Sequence, residues 1–235
     1  MPRVRHHVNP LRTHYLNTGA ARLHLPPAGI EVEVELGCAD ARFLFERAAA
    51  DHTLCCIGLE LRRDLVDDVN LRAAADGLAG LRAVFANGQT EFEALFPDRR
   101  LQRVFINFPD PWFKRRHQKR RVMNAELVDV LHRKIAPGGE LFFQSDIFDL
   151  ALDAMATIES TDLFENLHGA WSFARRNPFG VRSLREVRCE DRGLPIWRVH
   201  YRRVDGSGAF SPMGTGACGD QRSASHRRGS DPFQR

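Results

Sequence analysis

The sequence lacks the features that mark secreted proteins, membrane proteins and zinc proteins. No apolar run approaches the ~18–20 residues that a membrane-spanning helix requires. The first ten residues contain no apolar stretch of the kind found in a secretory signal peptide. The five cysteines are odd in number and include no Cys-x-x-Cys pair, so they support neither a disulfide framework nor a zinc site. We therefore expect a cytoplasmic protein with reduced thiols, no membrane segment and no metal.

A complete glycine-rich nucleotide-binding pattern is also missing. A predicted strand over residues 30–36 runs into Gly37-Cys38-Ala39-Asp40-Ala41 and then into a predicted helix over residues 42–50. This order of strand, glycine turn and helix is typical of the first unit of a nucleotide-binding α/β fold. Ala39 and Ala41 stand in place of the usual second and third glycines, and alanine costs free energy wherever φ must be positive. The turn therefore argues against a nicotinamide-dependent dehydrogenase, which usually carries the full Gly-x-Gly-x-x-Gly pattern.

The composition is that of one globular α/β domain with appendages. Of the 235 residues, 43% are hydrophobic and 27% charged, which is enough apolar material for a sizeable core. The net charge of +4 favours an anionic partner. We expect a basic, irregular arm over residues 1–29, suited either to RNA contact or to a solvated tail. One domain should follow over residues 30–204, and the Gly-, Ser-, Arg- and Asp-rich residues 205–235 should be disordered.

Strands alternate with helices along the middle of the chain. Apolar runs predict strands over residues 30–36, 54–60, 81–86, 101–108 and 140–145, and two late strands over residues 184–189 and 196–204. Helical spacing predicts helices over residues 42–50, 62–78, 92–96, 124–135 and 148–158. This order predicts an α/β protein with a doubly wound, mostly parallel seven-stranded sheet and an antiparallel edge strand. The alternating acids of residues 30–36 predict that the first strand has one wetter face.

Residues 104–121 carry the strongest functional signal. The segment opens as a short apolar strand of the type that is covered on both faces. Two prolines flank Asp110 and must end the strand, and we expect them to hold Asp110 and Phe108 in extended conformations. Trp112 offers a flat face to a base or a cofactor ring. Six cations then follow within eight residues without an acid among them, a density suited to a phosphate backbone.

Acidic side chains end four of the predicted strands, namely Glu35, Glu60, Asp110 and Asp146. Because the carboxyl ends of parallel strands meet at one edge of a sheet, we expect these acids to line one crevice. Glu60 lies about 20 residues beyond the glycine turn, the spacing at which an acid meets ribose hydroxyls. Asn87 ends the third strand and either reads an adenine edge or is a turn residue. Carboxylates beside a basic block predict two ligands, one cationic or rich in hydroxyls and the other a polyanion.

Several motifs resemble one known family. The most specific is Phe108-Pro109-Asp110-Pro111-Trp112 followed by the basic block. The others are Glu35-Leu36-Gly37-Cys38, Ile57-Gly58-Leu59-Glu60, Pro137-Gly138-Gly139-Glu140 and Ser183-Leu184-Arg185-Glu186. With these motifs, residues 3–204 resemble the tRNA (guanine-N7-)-methyltransferase family of S-adenosylmethionine-dependent enzymes. The resemblance implies a Rossmann-like class I methyltransferase that methylates N7 of the guanosine at position 46, in the variable loop of tRNA.

The resemblance also implies roles for individual residues. Cofactor-binding positions match Glu35, Gly37, Glu60, Asn87 and Asp110, and Asp110 is also the position treated as catalytic. The positions that contact the tRNA substrate match Lys114, Asp146, Ser183 and Glu186. Asn87 stands where many members have aspartate, and Ser183 stands where threonine is usual. We expect no metal, and the sequence leaves open whether the protein is a monomer or a homodimer.

Other interpretations stay open at this point. A non-catalytic tRNA-binding protein that has lost its cofactor would explain the alanines at positions 39 and 41. A methyltransferase that acts on another RNA would share both the sheet and the basic block, whereas a small-molecule methyltransferase would not need the basic block. Binding of S-adenosylhomocysteine separates the non-catalytic protein from the enzymes.

Overall fold

The structure is a computed structural model that describes residues 8–205. Within them, the strands are β1 (Val32–Leu36), β2 (Cys55–Glu60), β3 (Leu81–Phe85), β4 (Leu101–Asn107), β5 (Ile135–Ser145), β6 (Phe164–Asn166) and β7 (Trp197–Arg203). The helices are α1 (Thr13–Leu16), α2 (Arg42–Ala50), α3 (Arg63–Ala75), α4 (Phe92–Leu95), α5 (Ala125–Lys134), α6 (Phe148–Glu159) and α7 (Leu184–Asp191), with a 3-10 helix at Arg115–Arg120. The first residues of the predicted arm and all but the first residue of the predicted tail lie outside the described residues.

The strands form one sheet in the order β3-β2-β1-β4-β5-β7-β6. Strands β1 to β5 are parallel, and β7 runs antiparallel to both β5 and β6. From β1 the chain adds β2 and β3 on one side of the sheet. It then returns to add β4 and the later strands on the other side of β1. The strand order therefore reverses between β1 and β4. Ligands of doubly wound sheets bind at the carboxyl ends of the strands around this point. The predicted fold class is confirmed.

Apolar side chains cover both faces of the sheet. On one face Val34 and Val104 pack beneath helices α4, α5 and α6. On the other face the rings of Phe43 and Phe105 meet edge-on with centroids 4.8 Å apart, and Phe142 extends the same layer. Parallel strands that are buried on both sides are expected to be rich in apolar residues, as β4 and β5 are.

The prediction of a wetter face on β1 is wrong. All five residues of β1 are buried, and Glu33 is completely inaccessible. Arg47 Nε and Arg103 Nη1 each donate to the carboxylate of Glu33 at 2.8 Å. A buried carboxylate is tolerated when charged donors surround it, and these arginines come from α2 and β4. The alternation of residues along β1 gives no information about these two partners, because they come from other elements.

The predicted strand over residues 184–189 is also wrong, because this segment forms helix α7. Ser183 Oγ accepts a hydrogen bond from Glu186 N at 3.2 Å and caps the amino end of the helix. Glu186 and Cys189 are the buried positions, and their spacing of three fits a helix. The seventh strand is instead β6, whose three residues are too few to give a periodic signal.

The described part of the N-terminal arm is irregular except for the single turn α1. It is attached to the domain rather than solvated. Leu23 N donates to Leu95 O at 2.9 Å, and the Thr18 hydroxyl donates to Glu91 Oε2 at 2.9 Å. The side chains of Leu23 and Leu25 pack against the core. The arm therefore covers the sheet near the end of β3.

The four described cysteines are free thiols, and three of them are buried. Burial raises the pKa of Cys38 far above its usual range and raises the pKa of Cys56 to about 12. Within residues 8–205, no three or more His, Cys, Asp or Glu side chains are grouped as metal ligands. No helix in the same part of the chain is long and apolar enough to cross a membrane.

We predict that Ala39→Gly stabilises the fold. Ala39 is only partly buried and has a φ of 52°, in the left-handed region that strains an alanine. Relief of this strain, less the greater entropy of glycine in the unfolded chain, should raise the free energy of unfolding by about 0.5–1 kcal/mol in urea denaturation. The control is Ala49→Gly, on the exposed side of α2, which should lower it by about 1 kcal/mol. Equal losses of unfolding free energy in Ala39→Gly and Ala49→Gly would contradict strain at Ala39.

Candidate functional site

The carboxyl ends of four parallel strands meet at one edge of the sheet. In space these strands follow the order β2-β1-β4-β5. The edge receives Glu60 from β2, Glu35 from β1, Asp110 from the segment after β4 and Asp146 from the residue after β5. The fold therefore brings all four predicted acids to the same edge, with Glu35 near the reversal point of the sheet.

Glu35 is a buried carboxyl group with one unused oxygen. It is 4% exposed, and Asn107 Nδ2 donates to its Oε1 at 2.8 Å. Its Oε2 is buried and has no hydrogen-bond partner among residues 8–205. Burial raises the pKa of Glu35 from 4.5 to about 8; the bond from Asn107 opposes this, and the charges of Asp40 and Glu60 add to it. A cation bound at Oε2 would satisfy this oxygen and favour the carboxylate form.

Glu60 is well supplied with hydrogen-bond donors. Ala39 N donates to Oε2 at 3.0 Å, and the backbone N–H groups of Leu61 and Arg62 donate to Oε1 at 2.9 and 3.0 Å. The guanidinium of Arg62 donates to both oxygens, at 3.0 and 2.9 Å. These bonds tie the glycine turn to the start of α3. Ribose hydroxyls at Glu60 would have to share the carboxylate with Arg62 or displace it.

The glycine turn keeps its backbone shape without its full set of glycines. Gly37 has a φ of 74°, and its N–H donates to Leu59 O at 2.8 Å. Ala39 and Ala41 have φ angles of 52° and 53°. Positive φ is therefore retained at both alanines, as the glycine pattern requires, and the cost expected for alanine applies at each of them.

Asn87 follows β3, and its side chain is 1% exposed. Its Nδ2 donates to Pro10 O at 2.9 Å and to Tyr15 O at 3.0 Å, and its Oδ1 accepts from Gln89 N at 2.9 Å. The side chain therefore holds the N-terminal arm against the end of β3. Its role in cofactor binding stays a prediction.

The segment that carries Asp110 turns sharply over the end of β4. The prediction that Phe108 is extended is wrong, because its φ is 49°. Its ring is buried, and its N–H donates to Gln144 O at 2.8 Å, which outweighs the restriction that the next proline imposes. Asp110 is partly buried. The pKa of Arg62 is raised mainly by its hydrogen bonds to Glu60, with Asp110 among the carboxylates that add to the effect.

The basic block divides into inward-facing and outward-facing cations. Arg120 lies over the Trp112 ring, 4.9 Å from its centroid, and Arg121 donates to Pro111 O at 3.1 Å and pairs with Asp153. The exposed cations are Lys114, Arg116 and Lys119. Part of the block therefore fixes the turn after Asp110, and the rest faces solvent where a polyanion can bind.

The predicted substrate residues Asp146, Ser183 and Glu186 lie close together. Asp146 forms an ion pair with Arg185 of α7, and Ser183 caps the same helix. Glu186 is completely buried, and its carboxylate accepts from Arg198 at 2.8 Å, from Gln144 at 3.0 Å and from Asn177 at 3.0 Å. The structure therefore shows internal partners for Glu186, and its contact with a substrate stays a prediction.

Two amide side chains that sequence reasoning missed, the buried Gln144 and the partly buried Asn107, connect these groups. Gln144 Nε2 donates to Asn107 Oδ1 at 2.9 Å and to Glu186 Oε2, while Asn107 donates to Glu35. A continuous chain of hydrogen bonds thus runs from Glu35 on β1 to Glu186 on α7. Each amide follows a run of apolar residues in a strand, and that position is the signal, since a polar side chain shielded from water needs partners.

Comparison with known proteins identifies the family. Residues 31–199 match the Methyltransf_4 family model, which carries the description "Putative methyltransferase". The tRNA (guanine-N(7)-)-methyltransferase of Nostoc sp. is 36% identical over 208 residues, which cover 86% of this chain and 94% of that protein. The same enzyme of Synechococcus elongatus is 36% identical over 207 residues, with coverage of 86% and 96%. The chain belongs to the tRNA (guanine-N(7)-)-methyltransferase family.

Solved structures support the fold of this family member. TrmN from Thermus thermophilus superposes with a TM-score of 0.52 at 13% identity, over 74% of this chain and 44% of that chain. The antibiotic-resistance methyltransferase Kmr gives a TM-score of 0.50 at 20% identity, over 74% of this chain and 87% of that chain. At these identities the likeness shows a shared methyltransferase architecture and nothing finer.

We predict that Glu35→Gln stabilises this methyltransferase and removes cofactor binding. Glutamine keeps an oxygen for Asn107, but it has no negative charge for a cationic ligand. Wild-type Glu35 stays protonated in the fold up to about pH 8, whereas in the unfolded chain it ionises near 4.5. The stability that the protonated group confers on the wild type is therefore lost as pH rises between these values, and the variant should be more stable than wild type by about 3 kcal/mol at pH 7.

Urea denaturation between pH 5 and pH 8 and calorimetric titration with S-adenosylhomocysteine check this prediction. The advantage of the variant should grow with pH across that range. The control is Glu165→Gln, the same change on the exposed side of β6, which should alter neither quantity. A variant that is less stable than wild type, or one that retains full affinity for S-adenosylhomocysteine, would refute the assignment.

Proposed function

We propose that this protein transfers the methyl group of S-adenosylmethionine to N7 of a tRNA guanosine, the one at position 46 in the variable loop. The observation that carries the proposal is the pairing of two binding environments at one edge of the sheet. One is the buried oxygen of Glu35 that has no hydrogen-bond partner among residues 8–205, and the other is the set of exposed cations that follows Asp110. The curated relatives, which align over 86% of the chain, are named for this reaction.

The residues at the edge fit the cofactor. Glu35 would hold its ammonium group, because Oε2 is buried and lacks a donor among residues 8–205. Glu60 would hold the ribose hydroxyls once Arg62 releases or shares its oxygens. The backbone turn at Gly37 permits close approach of the ligand. Asn87 and Asp110 complete the proposed set.

The chemistry requires positioning more than proton transfer. S-adenosylmethionine supplies an electrophilic methyl group on a sulfonium sulfur. Guanine N7 has a free lone pair in the neutral base, so no residue needs to act as a strong base. The residues of the site must align the base with the methyl group, which is mainly an orientation effect. Asp110 would stabilise the positive charge that develops on the purine ring as N7 is methylated.

The substrate side of the site would be formed by Lys114 and by the group around Asp146. Lys114 precedes the 3-10 helix and is exposed, so its ammonium group is free to approach a phosphate. Asp146, Ser183 and the start of α7 lie at the same edge of the sheet, where the acceptor base would enter. Such an enzyme would act in the cytoplasm, where tRNA is available.

The non-catalytic interpretation is not favoured. Ala39 and Ala41 hold the positive φ angles that the turn requires, so their presence does not by itself remove the cofactor site. Glu35, Glu60 and Asp110 are all at the sheet edge. The curated relatives are named as enzymes. Binding of S-adenosylhomocysteine remains the measurement that separates the two interpretations.

The direct test is transfer of labelled methyl from S-adenosylmethionine to an unmodified tRNA transcript. We expect label on a transcript with guanosine at position 46 and none on the matched transcript with adenosine there. Label on both transcripts would mean that the methyl group is accepted by a nucleotide other than the one at position 46. Absence of label on either, with S-adenosylhomocysteine and tRNA still bound, would overturn the proposal.

We predict that Asp110→Ala lowers the single-turnover rate by more than it lowers cofactor affinity. Loss of one group that stabilises developing charge costs about 10²–10³-fold in rate in comparable sites. The comparison is between the methylation rate at saturating tRNA and the S-adenosylhomocysteine dissociation constant from calorimetry. Equal losses in both quantities would make Asp110 a cofactor ligand only.

We predict that Lys114→Ala weakens tRNA binding and makes it less sensitive to salt. Loss of one phosphate contact should reduce the slope of log affinity against log salt by about 1. The matched control is Arg202→Ala. Arg202 is exposed, and it pairs in register with Glu140 on β5, toward the opposite edge of the sheet. An unchanged slope for Lys114→Ala, or an equal change in the control, would argue against a phosphate contact.

A further inference from the structure

Three aromatic side chains cluster at the carboxyl edge of the sheet, outside the residues considered so far. The Trp197 ring lies 4.8 Å from the Phe148 ring and 5.2 Å from the Phe173 ring, centroid to centroid. Phe148 is 44% exposed, and Leu152, one turn further along α6, is 39% exposed. We call Phe148, Phe173 and Trp197 the aromatic platform. Exposed large apolar side chains that lie together mark an interaction surface.

The aromatic platform is next to the substrate side of the site. Trp197 begins β7 and pairs in register with Ser145, the last residue of β5. Asp146 follows Ser145 directly, and Phe148 begins α6 two residues later. The platform and Asp146 are therefore neighbours at the same end of the same pair of strands.

Two exposed arginines that form no ion pair within residues 8–205 flank the aromatic platform. Ala174 N donates to Arg198 O at 2.8 Å in an antiparallel bridge, so the next residues pass beside the start of β7. These residues are Arg175 and Arg176, and both are exposed. Neither has an ion pair or a side-chain hydrogen bond with any residue between 8 and 205. Their charges are thus available to an anionic ligand that also covers the rings.

We propose that the aromatic platform, with Arg175 and Arg176, binds a single-stranded segment of RNA beside the acceptor nucleotide. A base would stack on the exposed ring of Phe148, and the two guanidinium groups would contact the adjoining phosphates. Single-stranded loops are recognised in this way, by stacking on aromatic side chains together with positive charge along the backbone. The identification of this RNA segment as the tRNA variable loop rests on the proposed function.

The chemistry of the surface favours RNA over a second protein. Stable protein interfaces bury about 1,200 Å² or more in total, with apolar cores. Here Phe148 and Leu152 are exposed on α6, whereas the rings of Phe173 and Trp197 are partly buried. Two neighbouring arginines without acidic partners in the described chain would repel each other at a dry interface, whereas a phosphate backbone satisfies both.

The experiment compares binding of an unmodified tRNA transcript, a short single-stranded RNA and a duplex of equal length by full-length variants. Phe148→Ala should weaken tRNA and single-stranded RNA binding about tenfold, without a change in salt slope, because stacking carries no phosphate contact. Duplex binding should not change. Phe148→Trp should restore affinity. The double variant Arg175→Ala/Arg176→Ala should lower the salt slope by about 2.

Leu152→Ala is the matched control, since it removes a similarly exposed apolar side chain from the same helix without removing a ring. It should leave RNA affinity unchanged, and all variants should bind S-adenosylhomocysteine like wild type, which also shows that they fold. Wild-type affinity of Phe148→Ala for tRNA would overturn the proposal. So would sedimentation that shows a wild-type dimer split by Phe148→Ala, since the surface would then join two copies.

Methyl transfer by the wild-type protein separates this proposal from the proposed function. An active wild type with unaffected RNA binding in Phe148→Ala contradicts the platform alone. An inactive wild type whose single-stranded RNA binding still depends on Phe148 contradicts the proposed function and supports the platform.

Discussion

A carboxyl group buried at the sheet edge is the constraint on which the candidate site depends. Glu35 has one oxygen bonded to Asn107, and the other has no partner among residues 8–205. Burying such a group is costly, so it stays protonated or holds a cation. Through Asn107 and Gln144 the same group is joined to Glu186 at the start of α7. The proposed cofactor side and the proposed substrate side therefore share one hydrogen-bonded frame, which links their positions.

The site separates opposite charges by depth. The acids that would meet a cationic cofactor are buried or partly buried at the strand ends, where low dielectric strengthens their attraction. The cations that would meet RNA are on the surface, where they lose less solvation and long-range attraction speeds association. Arg62 lies between these regions and donates to both oxygens of Glu60. It neutralises that carboxylate, and a ligand with hydroxyl groups would have to compete with it.

The sequence predicted the parts of this arrangement that depend on local pattern. The strands that end near Glu60 and Asp146 follow from apolar runs with an acid at the end, and the strand with Glu35 follows from its alternating pattern; their meeting at one edge follows from the topology of such sheets. Helix α7 was misjudged because its two buried positions include a glutamate whose partners are distant in sequence. The conformation of Phe108 depends likewise on a bond to β5 that no local rule contains.

Asn87 shows how a distant contact changes the meaning of a motif position. A carboxylate in this position could only accept hydrogen bonds. The amide of Asn87 instead donates to Pro10 O and Tyr15 O, two carbonyls of the N-terminal arm. An aspartate in the same place would set its oxygens against both carbonyls. In this chain asparagine is therefore the residue that allows the arm to close over the end of β3, whether or not it also meets the cofactor.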